Sequence, residues 1–263
     1  VIPPPEVLDL FAVPEAPEPL PGGRGASFRA GDLVLSPGRE GEVAQWLYPM
    51  LARLSVRLDE APGRRRRDLR VALPVPARDG SWVVDGWGAT RWEPGATTCE
   101  DLEVTLAAGR LLHAQLDAVV RSRPPGLDRR EDRWARAERL VFGPTADLLW
   151  ALDGTASDVV ALLEDVDLGR EQLVHADLAG NVLIDGGGAP LVIDVAPAWR
   201  APRWAEAVCV LDSVLWWDAD RTALAPWRHG ADRQAMLRAI LFRALADGPG
   251  HDEPYLGVLD LLG

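Results

Sequence analysis

The chain contains no lysine: every one of its 28 cationic residues other than histidine is arginine. Cysteine is almost as scarce, with only Cys99 and Cys209. Two thiols so far apart make neither a disulfide framework nor a zinc site, and they point to a reducing cytoplasm. Long apolar runs are missing too. The best candidate, residues 208–217, is short and carries Asp212, so no membrane span is expected. No signal-peptide pattern opens the sequence, because Val1-Ile-Pro-Pro-Pro is neither basic nor a long apolar stretch. Positive charge is in deficit overall, with 40 acids against the arginines and a net charge of -12. That balance argues against a general nucleic-acid binder. What the chain does have is length and apolar content. At 263 residues and 48% hydrophobic, it can bury a real core, as one large domain or two small lobes.

The organisation can be read from punctuation and period. Residues 1–21 are rich in Pro and Glu around an apolar patch at Val7, Leu8, Leu10 and Phe11, which predicts a short docking helix and a linker. Glycines at 22, 23, 25 and 31 bracket apolar segments, the pattern of a glycine-rich hairpin. Residues 42–54 have helical spacing. Residues 69–75 and 81–90 read as two strands around the turn Arg78-Asp-Gly80, and Arg64 to Arg67 as a solvated loop. Glu93-Pro-Gly95 marks a boundary. Beyond it helical patterns dominate: 99–120, 134–141, 145–152, 156–166, 204–217 and 232–247.

The chemistry concentrates in Leu173-Val-His-Ala-Asp-Leu-Ala-Gly-Asn-Val-Leu-Ile-Asp185 and Leu191-Val-Ile-Asp-Val195. Apolar strand-like runs separated by Gly186, Gly187 and Gly188 predict a hairpin, with Asp177, Asn181 and Asp194 at its open end. Phosphoryl transfer from a nucleotide needs such a set: one carboxylate to orient the attacking hydroxyl, and hard oxygen ligands for divalent ions. A lone loop aspartate is ordinarily a helix cap or solvated group; the grouping is what gives Asp177 its meaning. His175 reads as a buried histidine that hydrogen-bonds the loop backbone. The crowd of Trp199, Trp204, Trp216, Trp217 and Trp227 reads as core or rim packing more readily than as an acceptor clamp.

His175-Ala-Asp-Leu-Ala-Gly-Asn-Val-Leu-Ile and Val192-Ile-Asp-Val resemble the catalytic and metal-binding loops of the aminoglycoside phosphotransferases and their protein-kinase-like relatives. Ala107-Ala-Gly-Arg-Leu-Leu-His113 is similar to the Leu-His helix that opens the C-lobe of that group. Over its whole length the chain resembles an actinobacterial kinase-like family with no established substrate, through residues 22–35 and 82–92. The resemblance implies an α+β, protein-kinase-like two-lobed fold: a small β-rich N-lobe over 1–93 and a larger helical C-lobe over 94–263. It implies ATP and Mg2+ as cofactors and Asp177 as the catalytic aspartate, with Asn181 and Asp194 as magnesium ligands. Gly25, Ala26, Ser27 and Arg29 would lie near the nucleotide phosphates, and Arg91, Trp92 and Glu93 at the hinge that meets adenine. The partner implied is a small-molecule hydroxyl acceptor, with neither nucleic acid nor membrane involved.

Three departures qualify the pattern. Only three residues separate Asp177 from Asn181, one fewer than usual, so the loop must be tighter. Val195 and Ala196 stand where aromatic or acidic residues usually follow the metal-binding aspartate. Most consequentially, Ser36 stands where the strand after the glycine-rich loop carries a phosphate-anchoring lysine. Arg29 or Arg39 could supply the charge, with Glu42 as the carboxylate partner, but a guanidinium fork does not replace an ammonium silently. The expected function is an ATP-dependent phosphotransferase acting on a small-molecule hydroxyl. The alternative is a pseudokinase that senses nucleotide or acts as a scaffold.

Overall fold

The computed structural model describes residues 1–13, 16–21, 26–151, 155–248, 251 and 253–262. The chain forms two compact units. One comprises Val1–Thr98 with Val182–Asp194, the other Cys99–Asn181 with Val195–Gly263. The division expected at 93–94 followed loop punctuation. Strand pairing instead carries the first unit to Thr98 and returns the hairpin at 182–194 to it.

The first unit begins with α1 (Pro5–Leu10), β1 (Glu18–Pro19), β2 (Phe28–Ala30), β3 (Leu33–Ser36) and α2 (Gly41–Asp59). It continues with β4 (Arg70–Val71), β5 (Pro74–Val75), β6 (Gly88–Arg91) and β7 (Thr97–Thr98). One sheet runs β1-β2-β3-β6-β5, antiparallel throughout. Phe28 and Ala30 alternate inward with Arg29 exposed, so β2 buries one face, against Val7, Phe11, Leu35 and Trp87. α2 buries Val43, Leu47, Met50, Leu51 and Leu54 at helical spacing. Ser55 on that face donates to Val71 O at 2.7 Å, tying the helix to β4.

Two strand expectations need correction. Residues 69–75 are not one strand: β4 and β5 belong to different sheets, and the chain changes sheet at 72–73. There Ala72 N–H donates to Val192 O while Leu73 O accepts from Arg91 N–H. Nor are residues 81–90 one strand. Val84 and Trp87 bridge across Asp85-Gly86, whose φ values of 47° and 77° make a tight two-residue turn, and the strand proper starts at Gly88. Gly22, Gly23 and Gly25 of the expected glycine-rich loop lie outside the described residues.

The second unit holds α3 (Leu102–Val119), α4 (Arg133–Val141), α5 (Thr145–Ala151), α6 (Thr155–Val160) and β8 (Gln172–His175). The chain then passes through β9 (Val182–Ile184) and β10 (Pro190–Val192) of the first unit. There β9 and β10 pair antiparallel in the sheet β4-β10-β9-β7, with β4 parallel to β10. Back in the second unit follow β11 (Pro197–Arg200), α7 (Pro202–Trp216), α8 (Gly230–Asp247), α9 (Glu253–Leu256) and α10 (Leu259–Leu262). The helix expected over 156–166 ends at Val160, and Leu152 lies outside the described residues. Asp101 and Asp132 cap α3 and α4 by accepting backbone N–H groups of the first turn. α8 is buried at 234–237 and 239–244, so it packs on all sides and forms the centre of this unit. Beside it Trp204 of α7 lies edge-on to Phe242 at 5.1 Å and to Phe142 at 5.3 Å. Among the described residues, no helix is long and apolar enough to cross a membrane.

Candidate functional site

In the second unit, β8 leads straight into Asp177. All four β8 residues are buried, and β11 pairs with it antiparallel, Pro197 opposite His175. His175 is fully buried and its Nδ1 accepts the backbone N–H groups of Asp177 at 3.1 Å and Ala196 at 3.4 Å. One imidazole thereby holds the start of the loop to the segment after Asp194, as the sequence suggested. His175 N–H in turn donates to His113 Nε2 at 3.1 Å. Burial, assisted by His175, pushes the His113 imidazole down to about 3, so it is neutral and can accept.

The loop is closed by packing and by its own amide. Leu178 lies against Gly109 of α3, where any Cβ would meet its side chain. Gly180 has φ +77°, and the ring of Trp217 occupies the space a Cβ would need. Asn181 Nδ2 donates to Asp177 O at 2.6 Å and to Asp177 Oδ2 at 3.3 Å. The amide therefore spans the shortened three-residue interval. Its Oδ1 takes no part in these bonds and has the oxygen chemistry that a hard cation requires.

Asp177 meets a second group that the sequence gave no reason to seek. Arg243 Nη2 donates to Asp177 Oδ1 at 2.5 Å, and its Nε donates to both carboxylate oxygens of Asp212 at 3.0 Å. A small pocket of about 30 Å3 opens here, lined by Arg130, Trp134, Asp177, Pro197, Phe242 and Arg243. Its aromatic wall is thus Trp134, not any of the five tryptophans singled out from the C-terminal crowding. Of those, Trp204 and Trp227 are buried, Trp216 is largely exposed beside Tyr255, and Trp217 backs the loop at Gly180. Trp134 is the second residue of α4, next to Arg133 and just after the N-cap Asp132, and the sequence marked it only as the start of a helical stretch.

The first unit holds the remaining candidates. Asp194, at φ 46°, forms an ion pair with Arg39, which lies just beyond β3. Burial acts against the Arg39 charge, but Asp194 and the Tyr48 phenol outweigh it and leave the guanidinium more firmly protonated than usual. Ser36, in the expected lysine position, shares a 3.0 Å hydroxyl hydrogen bond with Ser27. Ala26 and Ser27 are half-buried, and Arg29 is exposed. Arg29 donates to Gly31 O at 3.2 Å and its guanidinium lies 5.4 Å from the Trp92 ring centroid, so two of the expected nucleotide residues do meet. The backbone N–H groups of Arg91 and Trp92 are used by Leu73 O and Asp32 O, both at 2.8 Å. Glu93 pairs with Arg70 at 2.8 Å, and Arg70 also binds Asp185 at 2.9 Å and Asp59 at 3.3 Å. Glu42 is exposed in the first turn of α2. Gly25 lies outside the described residues. Among the described residues, no group of three or more His, Cys, Asp and Glu side chains gathers as a ready-made metal cage.

No protein-family model matches the chain, and neither does any curated protein. Solved structures do. The crystal structure of choline kinase LicA from Streptococcus pneumoniae aligns with 98% of this chain and 96% of its own, at a TM-score of 0.52 and 14% identity. Amicoumacin kinase hAmiN in complex with AMP-PNP, Ca2+ and Ami covers 94% of this chain and 78% of its own, at 0.49 and 16%. A glucosamine kinase covers 95% and 75%, at 0.38 and 18%. The first alignment establishes the fold: this chain has the α+β, protein-kinase-like fold of that choline kinase.

Proposed function

We propose that the protein is an ATP-dependent phosphotransferase that acts on a hydroxyl of a small molecule. The observation that carries this reading is Asp177. Its carboxylate is held at both oxygens, by Arg243 and Asn181, yet it remains partly exposed on a cleft with an aromatic wall. An acceptor seated against Trp134 and Phe242 presents its hydroxyl to Asp177, which orients it for in-line attack. The acceptor oxygen bonds the terminal phosphorus as the bond to the bridging oxygen breaks. ADP leaves, and the hydroxyl proton passes to Asp177 and on to solvent. Mg2+, when bound, would neutralise charge on the phosphates, and the Asn181 amide oxygen and the Asp194 carboxylate are the hard oxygen groups that would hold it.

The missing lysine is answered by Arg39. Its charge stands just past β3, paired with Asp194, and would be the guanidinium that answers nucleotide phosphate. Ala26, Ser27 and Arg29 then lie on the phosphate side and Trp92 on the adenine side. The backbone N–H groups of Arg91 and Trp92 serve the sheet, which leaves adenine to stacking and to Glu93. Two buried free cysteines, Cys99 and Cys209, fit a reducing cytoplasm.

The same lysine gap supports a second reading, a pseudokinase that binds nucleotide without transferring phosphate. One pair of measurements separates the two. ATP with Mg2+ raises the melting temperature under either reading, and ATP consumption across a panel of amino, sugar and polyol alcohols occurs only under the first. Asp177→Ala abolishes that consumption and leaves nucleotide binding intact. Full turnover in Asp177→Ala removes the assignment.

A further inference from the structure

The Arg243 guanidinium is 4% exposed and lies at the centre of the second unit, on the helix whose every face is covered. A buried cation needs a partner, and it has one in Asp212, equally buried on α7. The fork is used in full on that side: Nε reaches both Asp212 oxygens at 3.0 Å, and Nη2 bonds Oδ2 as well. Trp134 and Phe242 lie 5.0 Å and 5.2 Å from the guanidinium carbon and fix its plane. One carboxylate already balances one guanidinium. The further bond from Nη2 to Asp177, whose side chain is 41% exposed, is therefore not required to keep a charge in the core. It directs a rigid donor at one oxygen of a loop carboxylate while Asn181 takes the other.

We infer that Arg243, locked by Asp212, is the positioning residue of Asp177: it sets the direction of that carboxylate and couples the central helix α8 to the loop. The inference rests on the reading of Asp177 as catalytic only for its kinetic consequence, not for its geometric one. A carboxylate with one long side-chain torsion has several staggered positions available. The Arg243 and Asn181 donors select one, and the entropy of that selection is met during folding rather than during each turnover.

Arg243→Met alone leaves the Asp212 carboxylate stranded in the core, so the decisive protein is the double variant Arg243→Met/Asp212→Leu, which removes both buried charges together. Arg243→Lys is its companion, keeping charge and losing the fork. Each is compared with the unaltered chain by crystal structure and by ATP consumption. The expected result for the double variant is an intact α8, unchanged affinity for ATP, and an Asp177 side chain that leaves its present position. Turnover falls about tenfold or more through kcat, with KM for ATP unchanged. Arg243→Lys restores part of kcat. An Asp177 side chain that keeps its position and order in the double variant overturns the inference, whatever the kinetics. If the unaltered chain consumes no ATP, the crystal comparison still decides the positioning role, and it is the phosphotransferase reading that fails.

Discussion

Arg39 and Asp194 form an ion pair within the first unit, although one precedes α2 and the other follows β10, 155 residues later. The pair brings a cation to the carboxylate that is proposed as a metal ligand. Arg39→Met should weaken binding of ATP with Mg2+ about tenfold, the loss of roughly 1.4 kcal/mol of charge-assisted contact. Arg39→Lys should recover part of it, because the charge returns without the fork. Calorimetric titration measures both, and equal affinity in all three proteins refutes the role given to Arg39.

At Gly109 and Gly180 the Asp177 loop and its support touch without room for a methyl group. Gly109→Ala forces Leu178 aside and should cost about 1–3 kcal/mol of stability, the usual range for overpacking. Gly180→Ala meets Trp217 and a left-handed backbone together, so it should lower turnover more than Gly109→Ala does. Thermal melts with ATP consumption on the same samples rank the two; a Gly180→Ala protein as active as the parent contradicts this account of the loop.

His113 makes stability depend on pH in a definite direction. Its folded pKa, about 3, lies below the ordinary 6.5, so the unfolded chain binds more protons between those values. The stabilisation is fully present above 6.5 and is lost as pH falls toward 3, at up to about 1.4 kcal/mol per pH unit. Denaturant melts from pH 7.5 to 4.5 should show the decline, and His113→Gln should flatten it. A slope of the same size in the variant assigns the effect to other groups.

Trp204 carries the core of the second unit. It is fully buried and stacked edge-on between Phe142 and Phe242. Trp204→Ala should destabilise by about 3–5 kcal/mol in denaturant melts. A loss below about 1 kcal/mol would mean the aromatic stack is not the packing centre.

The period-based elements were legible because burial is decided by one face at a time. α2, α3, α4, α7 and α8 all stand within a few residues of where apolar spacing put them. The short strands were less legible. Residues 69–75 carry one continuous apolar signal, yet split at 72–73 because two sheets compete for their backbone groups. The β8–β11 pair left no clear mark on the sequence at 197–200, where Trp199 reads only as core or rim packing. At the candidate site, Asp177, Asn181 and Asp194 announce themselves through residue type and spacing. Arg243, Asp212 and Trp134 do not, since each sits in an ordinary helical pattern and only its neighbours in space give it a task.

The sequence by itself determined that this is a two-part α+β chain with a carboxylate–amide–carboxylate motif on a hairpin, because those features are local in period and spacing. It also determined that any cation at the site, histidine aside, must be an arginine. Only the tertiary structure decided which arginine stands at Asp194, which arginine bonds Asp177, and that His113 accepts the backbone N–H of His175. Those contacts join positions tens to more than a hundred residues apart, and no local pattern encodes which buried charge finds which partner. Desolvation does: a charge or an amide enclosed by the fold must meet its complement, and the packing of α7 and α8 leaves Arg243 facing Asp212 and Asp177.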